Sequence, residues 1–183
     1  MTDFRFIHCS DLHIDSPFKG LASQVPALNE RLRESTFQSF HKIVKLAVEE
    51  RVDAVLIAGD IFDGDDRSLQ AQLKFRRGLL ELSEKGISTF IVHGNHDPSN
   101  SWSHTLDWPE STTIFPGNKV ARFPVTQDGK TLAWIYGISY PQREVNENLA
   151  LKFKKDQDQG FAVGLLHANV GQQPGHDNYA PCS

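Results

Sequence analysis

Four short apolar runs each break at a side chain able to bind metal or move a proton, and this repetition constrains the chain more than any other feature. The clearest is VLIAGDIFD, Val55 to Asp63, in which β-forming residues stop at Gly59 and deliver Asp60. FRFIHCSD ends on Asp11, TFIVHGNHD on Asn95, His96 and Asp97, and FAVGLLH on His167. Such short, almost continuously apolar stretches are the pattern of strands buried on both faces of a sheet. In open α/β sheets the ligand site lies beyond the carboxyl ends of the strands, so the four ends are expected to converge. One aspartate after a strand is often only a turn former. Four ends of one kind, spelling DxH, GD and GNHD, point instead to a built site.

Composition limits what that site can hold. A chain of 183 residues, 39% hydrophobic, is long enough for one domain with a sizeable core. Its net charge of −4 and pI near 6.0 exclude nucleic-acid binding by bulk positive charge alone. Any phosphate recognition must be local, and divalent cations are the strongest local source of charge. Cys9 and Cys182 form neither a disulfide framework nor a CxxC metal spacing, and Cys9 reads as core packing. The start MTDFRFIHCSD runs straight into a strand, and no stretch approaches the ~18 apolar residues of a membrane span. A soluble cytoplasmic protein with no membrane contact is expected.

Along the chain, Phe4 to His8 is the first strand, with His8 read as a core histidine and Asp11 and His13 in the loop beyond it. Apolar spacing predicts a helix from Leu28 to Glu50, its inner face carrying Leu32, Thr36, Phe40, Ile43 and Ala47. Arg31, Arg33, Lys42 and Lys45 read as its solvated face. The strand Ala54 to Ala58 follows, then an acidic loop in which Asp63 is either a support for a ligand or a turn residue. A second helix is predicted over Ser68 to Lys85, marked by Leu69, Leu73, Leu79 or Leu80 and Leu82 and closed by Gly86. Ile87 to Val92 leads into HGNHDP, where Asn95 offers a carbonyl oxygen, His96 a proton carrier and Asp97 a carboxylate able to orient a histidine. Thr112 to Phe115, Val120 to Val125 and Thr131 to Tyr136, the last two joined by an Asp128-Gly129 turn, suggest an antiparallel edge. Trp102, Trp108 and Trp134 read as packing residues. A third helix is predicted over Arg143 to Lys155 before the strand Phe161 to Leu166.

The ordered set Asp11 and His13, Gly59 and Asp60, Asn95 to Asp97, and His167 resembles the calcineurin-like metallophosphoesterases, whose motifs are DxH, GD, GNHD, a later H and a final GHxH. More narrowly, FIHCSDLHIDSPF, VDAVLIAGDIFD, GNHDP, YGISYP, NLALKF, HANVG and NYAPCS resemble SbcD/YhaO-type DNA-repair exonucleases over essentially the whole length. The resemblance implies a four-layer α/β/β/α sandwich. It implies two divalent metal ions, Mn²⁺ favoured, with Fe, Zn or Mg compatible with a donor set that lacks thiolate. Asp60 would bridge ions roughly 3.5 to 4 Å apart, Asp11 and His13 would hold one, and Asn95 and His167 the other. His96 would be the general acid and Asp97 its orienter. The implied activity is DNA exonuclease or endonuclease cleavage in repair, with a homodimer and an SMC-like ATPase of the SbcC/YhaN type as partners. A phosphatase or cyclic-nucleotide phosphodiesterase is the alternative enzyme. The fifth motif is missing, since GHDN at Gly175 to Asn178 matches only half of it. The expectation is therefore a nuclease domain over residues 1–183 that is truncated at its C-terminus, binds metal weakly, and acts as an inactive binding module if nothing supplies GHxH.

Overall fold

The sequence's apolar runs form two sheets. β1 (Phe6–Cys9), β2 (Ala54–Ala58), β3 (Ser88–Val92) and β4 (Thr112–Ile114) make a fully parallel sheet in that order. β5 (Ala121–Gln127) and β6 (Lys130–Gly137) pair antiparallel, and β7 (Phe161–Leu165) pairs parallel to β6. Helices α1 (Pro26–Glu49) and α2 (Leu69–Glu84) carry the crossovers β1 to β2 and β2 to β3. The structure is a computed structural model and describes residues 3–16, 26–64, 68–101, 106–156, 160–171 and 179–182. Asp65, Asp66, Trp102 and His176 lie outside the described residues. No described helix is long and apolar enough to cross a membrane.

The period of two along β2 divides the core. Val55 and Ile57 face the helices and pack with Phe40, Val44, Phe75 and Leu79. Ala54, Leu56 and Ala58 face the second sheet, with Val125, Ala133, Ile135 and Leu165. All five β2 residues are buried, as expected of a strand covered on both faces. The flanking runs behave differently. β1 is an edge strand exposed at Phe6 and His8, and β7 is exposed at Phe161 and Gly164. His8 is therefore a surface residue rather than a core histidine, because an edge strand has no neighbour to cover its outer side.

Local chemistry fixes the helix ends. The Ser68 hydroxyl accepts from the Ala71 N–H at 3.0 Å, and Gly86, at φ +72°, turns the chain out of α2. The buried stripe of α2 is Ala71, Phe75, Gly78, Leu79 and Leu82, while Leu69 and Leu73 are 61% and 48% exposed. Phe75 sets this rotation by packing its ring against Phe40, Phe62 and Trp108 at centroid distances of 4.9, 5.6 and 5.9 Å. Trp108 is thus a packing residue, as read from sequence, although it packs against α2 rather than under a loop. Arg33 is no solvated charge: it pairs at 2.9 Å with the buried Asp15, whose other oxygen accepts from the Ser68 hydroxyl.

Two segments correct the sequence reading. Thr112 to Ile114 joins the first sheet in parallel with β3, and only β5 and β6 form the hairpin, through Asp128 and Gly129 at φ 51° and 73°. The helix expected over 143–155 is absent apart from a 3-10 turn at Leu149–Lys152. Asn148 interrupts it by accepting the Ala150 N–H at 3.0 Å, and the Ala180 N–H bonds the Val145 carbonyl, which holds that carbonyl outside any helix. Val145 and Leu149 still face inward.

Phe115 joins the sheets, with ring centroids 6.2 Å from Phe90 and 5.6 Å from Phe123. It lies so flat on Gly137 that a Cβ there would stand 2.5 Å from the ring. We expect Gly137→Ala to destabilise the protein by about 1–2 kcal/mol in urea unfolding, because overpacking outweighs the lost glycine entropy. Unchanged or raised stability would show that the ring can step aside.

Candidate metal centre

The site forms where the carboxyl end of the first sheet meets that of β7. The loops after β1 and β2 are zipped together: the N–H groups of Asp11, His13 and Ile14 donate to the carbonyls of Gly59, Asp60 and Ile61 at 3.1, 3.0 and 2.8 Å. These bonds hold Asp11, His13 and Asp60 at φ values of 53°, 41° and 52°, left-handed conformations that cost an ordinary residue about 1–2 kcal/mol. Three strained residues, all with ionisable side chains, follow from that zipper.

Asp97 locks the third loop. Its fully buried carboxylate accepts the backbone N–H groups of Gly94 at 2.9 Å, Asp60 at 3.1 Å and Ile61 at 2.9 Å. Burial pushes this carboxyl up to about 7, the three N–H bonds pull it down, and the Asp60 charge adds to the rise. The expected role of Asp97 as orienter of His96 does not match this geometry, because both its oxygens are taken by backbone. Asp63 stands there instead, with Oδ1 2.7 Å from His96 Nδ1. Of the two readings left open for Asp63, contact with a histidine is the one observed.

Asp60 is the centre of the cluster. One oxygen, Oδ1, accepts the His96 N–H at 2.9 Å, and the other, Oδ2, lies 3.9 Å from His13 Nε2 and 3.4 Å from His167 Nε2. Gly59 and Gly94 allow this approach: a Cβ on Gly59 would stand 2.7 Å from the His167 ring, and one on Gly94 would overlap Asp60 Oδ1. His167, carried by the second sheet, thereby reaches residues of the first. All the expected ligands, Asp11, His13, Asp60, Asn95 and His167, border one cavity of about 650 Å³ with His96. His8, Ser10, Arg143, Asn169 and Tyr179 also line its wall, and the sequence reading proposed none of them as a site residue.

The donor set fits a cation. His167 Nδ1 lies 2.8 Å from the Ala58 carbonyl, which only accepts, so Nδ1 carries hydrogen, and in the neutral imidazole Nε2 then carries the lone pair. That lone pair faces Asn95 Oδ1 at 3.1 Å and Asp60 Oδ2 at 3.4 Å, two further acceptors. In that neutral form three lone pairs converge with no hydrogen between them, an arrangement a positive ion relieves. Beside it, ligand atoms of Asp11, His13 and Asp60 lie within 4.8 Å of one another, as do those of His13, Asp63 and His96. Burial raises the Cys9 thiol to about 12, and Cys9 does not border the cavity.

This fold and site agree with what the sequence match shows: the chain belongs to the calcineurin-like phosphoesterase family, whose model matches residues 4–181. The chain is 39% identical over 181 residues to the uncharacterized metallophosphoesterase YhaO of Bacillus subtilis, covering 99% of itself and 44% of that protein. It is 28% identical over 190 residues to the DNA double-strand break repair protein Mre11 of Aeropyrum pernix, covering 96% and 44%. With a subunit of the nuclease SbcCD of Escherichia coli it shares 29% identity over 104 residues, 56% of this chain and 24% of that one. The chain spans less than half the length of these curated relatives.

If Asp97 acts through the backbone, Asp97→Ala should lower stability in thermal or urea unfolding by at least ~2 kcal/mol, because buried N–H groups lose their acceptor. Intact stability with only turnover lost would return Asp97 to the role of orienting His96.

Proposed function

We propose that the chain carries the metal-dependent active site of a DNA phosphodiesterase, an exonuclease or endonuclease of DNA repair. The observation that carries this reading is the gathering of oxygen and imidazole donors around Asp60 Oδ2, beside a separately held His96–Asp63 pair. Similarity to a double-strand break repair protein and to a nuclease subunit supports DNA as the substrate. Asp11 and His13 would hold one divalent ion, Asn95 and His167 a second, and Asp60 both. Mn²⁺ suits this hard and intermediate donor set. When bound, such ions supply a nucleophile at neutral pH and neutralise charge on the phosphoryl oxygens.

The residues of the chain then have separable tasks. Asp60 and Asp97 fix the loops on which the donors stand. Asp63 accepts from His96 Nδ1 and fixes the orientation of the ring, which leaves Nε2 as the nitrogen that would carry the transferred proton. As the bond from phosphorus to the departing oxygen breaks, His96 gives that proton to the oxygen and stays neutral until solvent recharges it. The expected SbcC/YhaN-type ATPase and a homodimer belong to the same reading. The net charge of −4 favours a small phosphoester as second reading, a phosphatase or cyclic-nucleotide substrate.

Mn²⁺-dependent hydrolysis of single-stranded DNA, bis(p-nitrophenyl) phosphate and p-nitrophenyl phosphate separates these readings. Preference for DNA supports the first, and preference for the monoester overturns it. In the active protein, His96→Ala should lower kcat by roughly 10²- to 10⁴-fold with metal content retained. Asp63→Asn should lower it in the same direction but less. Loss of metal in either variant would make His96 or Asp63 a ligand instead.

In this reading Asp60 serves both ions. Calorimetric titration with Mn²⁺ should find Asp60→Ala deficient in both binding events and His167→Ala weakened chiefly in one. Equal effects would remove Asp60 as the shared ligand.

A further inference from the structure

Among the described residues, Arg143 is the only permanently charged cation in the wall of the site cavity. Every other ionisable group there is an aspartate, a histidine or Tyr179. Arg143 is exposed and makes no hydrogen bond or ion pair among the described residues. In particular, neither Asp11 nor Asp60 lies within ion-pair distance, although both border the same cavity and would attract a guanidinium within reach. The side chain therefore stands away from the place where the donors converge.

The segment that carries Arg143 is fixed on both sides. Tyr140 is fully buried, donates its N–H to the His93 carbonyl at 3.1 Å, and receives the Ser99 N–H at 3.0 Å. Val145 is buried and accepts from the Ala180 N–H. Because His93 precedes Gly94 and Asn95 directly, the rim bearing Arg143 is tied by backbone to the loop bearing Asn95 and His96. Tyr140 also packs edge-on against His167 at a centroid distance of 5.6 Å. A backbone segment held on both sides thus carries an unpaired guanidinium at the wall of a cavity of about 650 Å³, far larger than one phosphate group.

We propose that Arg143 binds a phosphate flanking the scissile one, so that the site takes a polynucleotide strand rather than an isolated phosphoester. The guanidinium fork matches two phosphate oxygens, which a lysine ammonium does not. In a chain of net charge −4, this local cation supplies the anion recognition that bulk charge cannot. The inference rests on the phosphodiesterase reading above and names the feature of the substrate that the metal cluster alone would not select.

The test uses the full chain and its Arg143→Ala and Arg143→Lys variants, with matching thermal unfolding as the check on folding. Binding of a fluorescein-labelled single-stranded oligonucleotide is followed by anisotropy in Ca²⁺ at several salt concentrations, and hydrolysis of the oligonucleotide and of bis(p-nitrophenyl) phosphate is followed in Mn²⁺. Arg143→Ala should weaken oligonucleotide binding roughly tenfold and flatten the salt slope by about 0.7, the loss of one single-strand phosphate contact. Its loss of kcat/KM on the oligonucleotide should exceed that on the small diester about tenfold, with Arg143→Lys in between. Unaltered binding and slope would overturn the proposal. Equal losses on both substrates would overturn it too, by placing Arg143 on the scissile phosphate. A wild-type protein that cleaves the small diester but does not bind the strand refutes Arg143 alone, whereas one that does neither refutes the phosphodiesterase reading and this inference with it.

Discussion

The site depends on one buried carboxylate whose oxygens both serve the backbone. Asp97 accepts three backbone N–H groups, one from its own loop and two from the loop after β2, and so locks Asp60 against Asn95 and His96. With the zipper between the loops after β1 and β2, it converts three flexible strand ends into one rigid floor. The strained φ values at Asp11, His13 and Asp60 persist because these bonds determine them from several sides. Rigidity of this kind matters most for metal ligands, whose affinity falls steeply when donors must be reordered on binding.

The fourth strand end arrives by a different route. β7 belongs to the second sheet, yet His167 lies against Gly59 because residues 59 and 94 lack side chains and the inner faces of the two sheets share one apolar layer. Packing between sheets therefore sets the distance from His167 to Asp60. A core substitution at Phe115 or Gly137, remote from the donors in sequence, bears on the site through that layer.

Electrostatics divide the work. An acidic chain with aspartates at its centre repels a phosphodiester until cations fill the donor set, and in the proposed reading metal binding turns the cavity from repulsive to attractive. Arg143 then adds a fixed positive charge at the rim. In the same reading His96 and Asp63, paired beside the donors, hold a proton close to the reacting phosphate.

Much of this was legible in the sequence. Apolar runs located β1, β2, β3 and β7, spacing located α1 and α2, and the polar residue ending each run named the donors that the fold brings together. The alternation of Val55 and Ile57 with Leu56 already carried the two-faced burial of β2. Tertiary structure alone decided the rest, because each remaining feature depends on a partner distant along the chain. Asp97 turned to backbone rather than to His96 because unpaired N–H groups of Asp60 and Ile61 lay beside it. Asp63 took its place because the loop after β2 folds back over His96. The expected helix over 143–155 gave way to an irregular segment because Asn148 and Ala180 offered its backbone other bonds, and that segment is what carries Arg143 to the cavity.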